Sequence, residues 1–279
     1  MEKIILAIDG VNLEMSSVDF ACYLGRLTHS RLTGIFLENL PSYEPPVLRS
    51  TRAITTHDWE MVKGSPEYEL KKELIEKNIA TFKEACENRS VNCNVYRDDG
   101  LPLEEILSES HFADIVVVGA STSYDKQYEG MPTEFVKDIL KDSECPVVIA
   151  PENFEGIDEI LLTYDGSKSA LFAMKQFTYL FPMFKDKKVK LIYVNESGTW
   201  IRSDQIRVEE WLKDHYSSYV VEVAKGDIGT HLLDYLLIKN KVFVVMGAYG
   251  RSSLSRFFKR SHADLLIKTI THPIFIAHY

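Results

Sequence analysis

The chain has 279 residues, of which 45% are hydrophobic and 26% charged, with a formal net charge of −9. Domains commonly hold about 100–200 residues, so this length favours two of them. The acidic balance excludes broad nucleic-acid binding, which needs a basic face, and no apolar run nears the roughly 20 residues that cross a bilayer.

Met1-Glu2-Lys3-Ile4-Ile5-Leu6 passes straight into a strand-like run, without the basic, apolar and small-residue zones of a signal peptide. Cys22, Cys86, Cys93 and Cys145 all fall in the first half and form no C-x-x-C pair. They read as reduced thiols of a cytoplasmic protein, not as a disulfide frame or a zinc site.

The first strand, Lys3-Ile4-Ile5-Leu6-Ala7-Ile8, ends at Asp9-Gly10 and leads to a helix over 16–29 and a strand over 32–37. An insertion over about 41–68 follows, carrying Pro45, Pro46, Gly64 and Pro66. Connections this long are either mobile surface or a lid or docking arm, and both readings stand. The next helix, 70–86, is expected to pack through Leu70, Leu74, Ile75, Phe82 and Ala85. Residues 104–107 lead into Asp114-Ile115-Val116-Val117-Val118-Gly119-Ala120, and this half closes on Pro146-Val147-Val148-Ile149-Ala150.

The same plan then repeats. Glu159-Ile160-Leu161-Leu162-Thr163-Tyr164 ends at Asp165-Gly166-Ser167, followed by a helix over 169–184 and a strand over 189–194. A short segment, 196–203, replaces the long insertion. Residues 232–237 lead into Val242-Phe243-Val244-Val245-Met246-Gly247-Ala248, and the chain closes on Pro273-Ile274-Phe275-Ile276-Ala277. A repeat of this length in one order marks a tandem duplication, with domains over 1–152 and 153–279. Pro151 and Gly156 interrupt the pattern at the boundary.

Short β-branched runs alternating with amphipathic helices predict an α/β fold, each half a doubly wound, five-stranded parallel sheet in the order 3-2-1-4-5. Ligands of such sheets bind where the strand order reverses, at the carboxyl ends. Asp165 and Gly247 end the two strands that flank that point in the second half.

These features resemble the universal stress protein family in its tandem form, which has a Rossmann-like, adenine-nucleotide-hydrolase-like fold. The resemblance rests on the strand-Asp-Gly-Ser start and on a turn motif of Gly, two residues, Gly, nine residues, then Gly-Ser or Gly-Thr. The second half reads Gly247-Ala248-Tyr249-Gly250, nine residues, then Arg260-Ser261, so the spacing is kept and the third glycine is arginine. The first half has Ala120-Ser121-Thr122-Ser123-Tyr124-Asp125 after Gly119, without the second glycine and with an added acid. It reads as a structural partner.

The resemblance implies an adenine nucleotide, ATP or AMP with or without Mg, in the second half. Asp165 would accept hydrogen bonds from the adenosine, with Thr163 beside it. Val194 would offer backbone to the adenine, and Met246 and Gly247 would line the ribose. Gly250, Arg260, Ser261 and His262 would face the phosphates, where glycine backbone and a helix start favour anions. Asp165 equally fits a cap on the helix after an Asp-Gly turn. Arg260 fits either a phosphate clamp or a plug that closes the cleft.

The implied function is a stress-response protein that signals through contacts with unidentified protein partners. It would be an intramolecular pseudo-dimer, with a further homodimer open, joined through the last strand of each half. The alternatives are a ligand-free dimerisation or interaction module and, more remotely, a slow ATPase or adenylating enzyme. No general base or metal-carboxylate set accompanies the motif, so efficient chemistry is not expected. His262, His272 and His278 fit no standard metal spacing.

Overall fold

A computed structural model of the chain describes residues 1–37, 66–98, 102–123, 130–195, 197–226, 228–247 and 271–277. The first half contains β1 (Lys3–Asp9), α1 (Met15–Thr28), β2 (Arg31–Leu37), α2 (Pro66–Asn88), β3 (Cys93–Asp98), α3 (Pro102–Ser110), β4 (Ile115–Gly119), α4 (Glu134–Asp142) and β5 (Val147–Ala150). The second contains β6 (Glu159–Tyr164), α5 (Lys168–Leu180), β7 (Lys188–Asn195), α6 (Arg202–His215), β8 (Ser218–Lys225), α7 (Ile228–Leu236), β9 (Val242–Gly247) and β10 (Ile274–Ala277).

One ten-stranded sheet runs β3-β2-β1-β4-β5-β10-β9-β6-β7-β8. Each half therefore carries the expected 3-2-1-4-5 order, and the second is the mirror of the first along the sheet. All pairs within a half are parallel. The seam is antiparallel, with Ile274, Phe275 and Ile276 of β10 opposite Ile149, Val148 and Val147 of β5. Pairing the two last strands leaves neither as an open edge, which is the usual hazard of a sheet end.

The strands near the seam are buried on both faces, as their unbroken Ile/Val/Phe runs require. Alternate residues feed two apolar layers, and each layer continues across the seam. On the face that carries α1 and α5, Phe243 lies within ring contact of Phe20 from the first half and Phe177 and Phe181 from the second. Phe154, in the segment between the halves, packs edge-on against Phe20.

Three local expectations need correction. The helix expected over 169–184 stops at Leu180, and Pro182–Phe184 forms a separate 3₁₀ turn. Proline has no N–H to continue the helix and disfavours helical backbone in Phe181, whose φ is −123° and ψ 56°. On α2, Ile75, Ile79, Phe82, Ala85 and Cys86 form the buried stripe, whereas Leu70 and Leu74 are exposed. The helix also begins earlier than expected, at Pro66, and the rest of the insertion over 41–65 lies outside the described residues.

Candidate functional site

The strand order of the second half reverses between β6 and β9, where the crevice opens at their carboxyl ends. Their parallel ladder runs from Glu159↔Val242 to Leu162↔Val245 and stops. At the next residue the buried Thr163 hydroxyl donates to the Val245 carbonyl at 3.0 Å, so a side chain satisfies an acceptor at the opening. Met246 and Gly247 stay paired with β10 on the other side of β9. Thr163 thus forms the floor of the crevice, with its hydroxyl already engaged.

Asp165 follows directly. Its Oδ1 accepts the Ser167 backbone N–H at 3.0 Å, closing a tight turn through Gly166 at φ +87°. Ser167 caps α5, its hydroxyl accepting the Ala170 N–H at 3.1 Å. The helix cap is thus Ser167 and not Asp165, whose place is the turn before it, and that turn role leaves room for a ligand role. One oxygen shapes the turn, and among the described residues Oδ2 has no partner.

Gly247 faces the start of α5 at very short range. A Cβ there would lie 2.3 Å from the Ala170 nitrogen and 2.5 Å from its Cα. Only glycine lets the helix start sit this close to β9. Val194 lies one residue past the last β6–β7 pair, Tyr164↔Tyr193, and remains paired with Ala224 of β8. Met246, two strands away on β9, is half-buried in the layer that also holds Val194.

An aromatic group lies near the same strand ends, in the apolar layer opposite to that of Val194 and Met246. Trp200 stacks on Tyr193 with centroids 4.1 Å apart and planes 7° apart, and Tyr164 closes the group at 5.6–5.7 Å. Asn195 ties the turn that carries Trp200, accepting the Gly198 N–H at 2.6 Å and donating to the Thr199 carbonyl at 2.6 Å. Burial pushes the Tyr164 hydroxyl up from its ordinary range, reinforced by the carboxylates of Asp204 and Asp165. The signal was present as Tyr164 and Tyr193, the last pair between two adjacent strands, but such residues serve packing far more often than binding.

Gly250, Arg260, Ser261 and His262, together with Arg251, Arg256 and Lys259, lie outside the described residues. Thr163, Asp165, Val194, Met246 and Gly247 are brought together at one end of three adjacent strands, β7, β6 and β9. His272 is elsewhere, buried before β10 with its Nε2 3.3 Å from the Leu236 carbonyl oxygen. Among the described residues no group of three ligating side chains could hold a metal ion.

The matching point of the first half is filled by the protein itself. Asp9 accepts the Val11 and Asn12 N–H groups through Oδ1, at 2.9 and 3.1 Å, and the Asn12 amide through Oδ2 at 2.8 Å. The β1–β4 ladder continues one pair further, to Ala7↔Val118. Glu14 lays its carboxylate over Gly119, where a Cβ would meet Oε2 at 2.3 Å, and receives hydrogen bonds from Ser17 and Ser121. Thr133, where the motif's serine is expected, caps α4 through Val136 and also binds the Thr122 carbonyl.

No family model and no curated protein sequence matches the chain. Solved structures do. The chain is similar to a universal stress protein of Archaeoglobus fulgidus DSM 4304, with 19% identity, 99% of this chain and 96% of that one covered, and a TM-score of 0.67. A protein of Pseudomonas aeruginosa UCBPP-PA14 described as a candidate universal stress protein matches at 13% identity, 100% and 93% coverage and a TM-score of 0.56. A protein of unknown function from Pseudomonas aeruginosa PAO1 matches at 12% identity, 100% and 92% coverage and a TM-score of 0.55. The chain has the tandem universal stress protein fold. No helix among the described residues is long and apolar enough to cross a membrane.

Proposed function

We propose that the chain is a tandem universal stress protein that binds one adenine nucleotide, ATP or AMP, in its second half. The observation that carries this reading is the Asp165 Oδ2, without a partner among the described residues, beside a crevice that opens one residue earlier than its counterpart. A carboxylate at this place suits the hydroxyl donors of a ribose, and hydrogen bonds to charged groups contribute about 1.5–3 kcal/mol each. Val194 would present backbone to the base. Met246 and Gly247 would flank the sugar, while Gly250, Arg260, Ser261 and His262 would meet the phosphates.

The first half, over 1–152, serves as the structural partner of the second, over 153–279. Glu14 puts a negative charge where a phosphate turn would need donors, and Asp9 has both oxygens engaged. Nucleotide binding would alter contacts with protein partners in the cytoplasm, and the chemistry within reach amounts at most to slow hydrolysis. Isothermal titration of the purified chain with AMP and with ATP tests the reading. Failure of both to bind at millimolar concentration would leave the ligand-free interaction module, with Arg260 closing the cleft.

A further inference from the structure

Among the described residues β8 ends the sheet, with β7 as its neighbour on one side and no strand on the other. All 8 of its residues stand in register with β7, from Ser218 opposite Lys188 to Lys225 opposite Asn195. The Gly226 N–H donates to the Asn195 carbonyl at 3.0 Å, which fixes the phase of that ladder. Even-numbered residues of β8 therefore turn their backbone groups to β7, and Tyr219, Val221 and Val223 turn theirs outward. The Lys225 carbonyl ends the outward row and accepts from the His231 Nε2–H at 2.9 Å.

An open row of donors and acceptors is a template for another strand, and proteins usually blunt it with charge or proline. At the other end of the sheet β3 carries such charge in Arg97 and Asp98, and the Arg97 guanidinium is ion-paired with Glu76 of α2. From Tyr219 to Ala224, β8 has a single charged residue, Glu222, and Lys190 neutralises it at 2.7 Å. Tyr219 and Val221 rest partly against the apolar layer that α5 covers, and Val223 follows on the same face. Val223 is 39% exposed, and Val220 on the opposite face 62%. Exposed valines along an unblunted edge mark a surface for pairing.

We propose that β8 pairs antiparallel with β8 of a second copy of the chain, about a twofold axis through Val221. That register sets Val221 opposite its own copy and Tyr219 opposite Val223 on either side of the axis. Each of these outward pairs exchanges two hydrogen bonds. The Tyr219–Val223 pairs are aromatic against β-branched, a favourable cross-strand contact. Glu222 falls opposite Val220, so the two carboxylates do not meet. An axis at Glu222 would set them directly against each other. An axis at Val220 would call on Ser217, whose N–H already binds the Lys185 carbonyl. The occupant is a second copy because the outward row complements itself in this register. The seam closes its own strand edges by the same device, antiparallel pairing of equivalent strands.

Sedimentation velocity of the full chain from about 1 μM to 1 mM, with hydrogen exchange read at single amides, tests the pairing. The mass should rise from 31.9 kDa toward twice that value as concentration increases. Exchange at the Tyr219, Val221 and Val223 amides should slow in step by roughly tenfold or more, while the Val220 and Glu222 amides, bonded to β7, stay slow throughout. A single-chain mass at every concentration would overturn the proposal. So would a dimer whose three outward amides exchange as fast as in the single chain. Val223→Lys, at an exposed position, sets an ammonium against Tyr219 of the second copy and should weaken association by about tenfold or more. An unchanged dissociation constant in that variant would also overturn the pairing. The exchange readout needs no substitution, so it stands even where the variant folds poorly.

Discussion

The two switch points of this molecule are built from one plan and finished in opposite ways. In the first half, Asp9 is engaged by Val11 and Asn12, Glu14 by Ser17 and Ser121, and Thr133 by Thr122 and Val136. In the second, Thr163 holds the strands at the opening and, among the described residues, the Asp165 Oδ2 has no partner. A duplicated fold can thus assign stability to one copy and binding to the other. The difference lies in which polar groups already have partners, since the strands and their order are the same.

The largest contrast in stability should come at the seam. Phe275 of β10 is fully buried against Phe177 and Phe181, with centroids 5.3 and 6.2 Å away, while the residue opposite it in the first half is the smaller Val148. Phe275→Ala is expected to cost about 3–5 kcal/mol in urea unfolding, with Val148→Ala costing less than half of that. Equal costs would mean that the ring cluster does not anchor the second half.

The two glycines that end β4 and β9 sharpen the comparison. A methyl group at Gly247 meets the backbone of Ala170, which cannot yield without moving α5, so Gly247→Ala should cost about 1–3 kcal/mol and weaken nucleotide binding. At Gly119 the nearest obstacle is the Glu14 carboxylate, the far end of a flexible side chain. Gly119→Ala should stay within about 1 kcal/mol of the parent, because relief of glycine's unfolded-state freedom offsets the displaced contact. Thermal unfolding of the two variants side by side checks this.

The smallest effect concerns the residues that precede the seam strands, Cys145 before Pro146 and His272 before Pro273. Burial keeps both neutral, by raising the thiol to about 11 and by lowering the imidazole below its ordinary value. A histidine with a depressed folded-state pKa binds its proton first in the unfolded chain. Its contribution is complete above about pH 7 and is lost as the pH falls through about 6.5 toward the lower folded value. Between pH 7 and 5, His272→Cys should flatten the acid side of the stability profile by up to about 1 kcal/mol, whereas Cys145→Ala should leave its slope unchanged.

The internal repeat made the strand order, the seam and the position of the crevice legible, because buried strands advertise themselves as unbroken Ile/Val/Phe runs. The two third strands were harder to see. Cys93–Asp98 and Ser218–Lys225 are sheet edges with polar residues on both faces, so no apolar run marks them. At the site, sequence marked Asp165 and Asp9 alike. What separates them is Asn12, three residues along the chain, which takes the second oxygen of Asp9. The Glu14 carboxylate over Gly119 joins residues about a hundred positions apart and has no pattern in sequence. The Tyr193–Trp200 stack showed in sequence only as aromatic residues, which usually signal packing.

The most direct measurement is isothermal titration of AMP and ATP into the full chain, Asp165→Ala and Asp9→Ala. The account predicts one site per chain, weakened by about tenfold to a hundredfold in Asp165→Ala, as the loss of one charged hydrogen bond requires, and unchanged in Asp9→Ala. Two sites per chain, or a loss of binding in Asp9→Ala with Asp165→Ala unaffected, would contradict it.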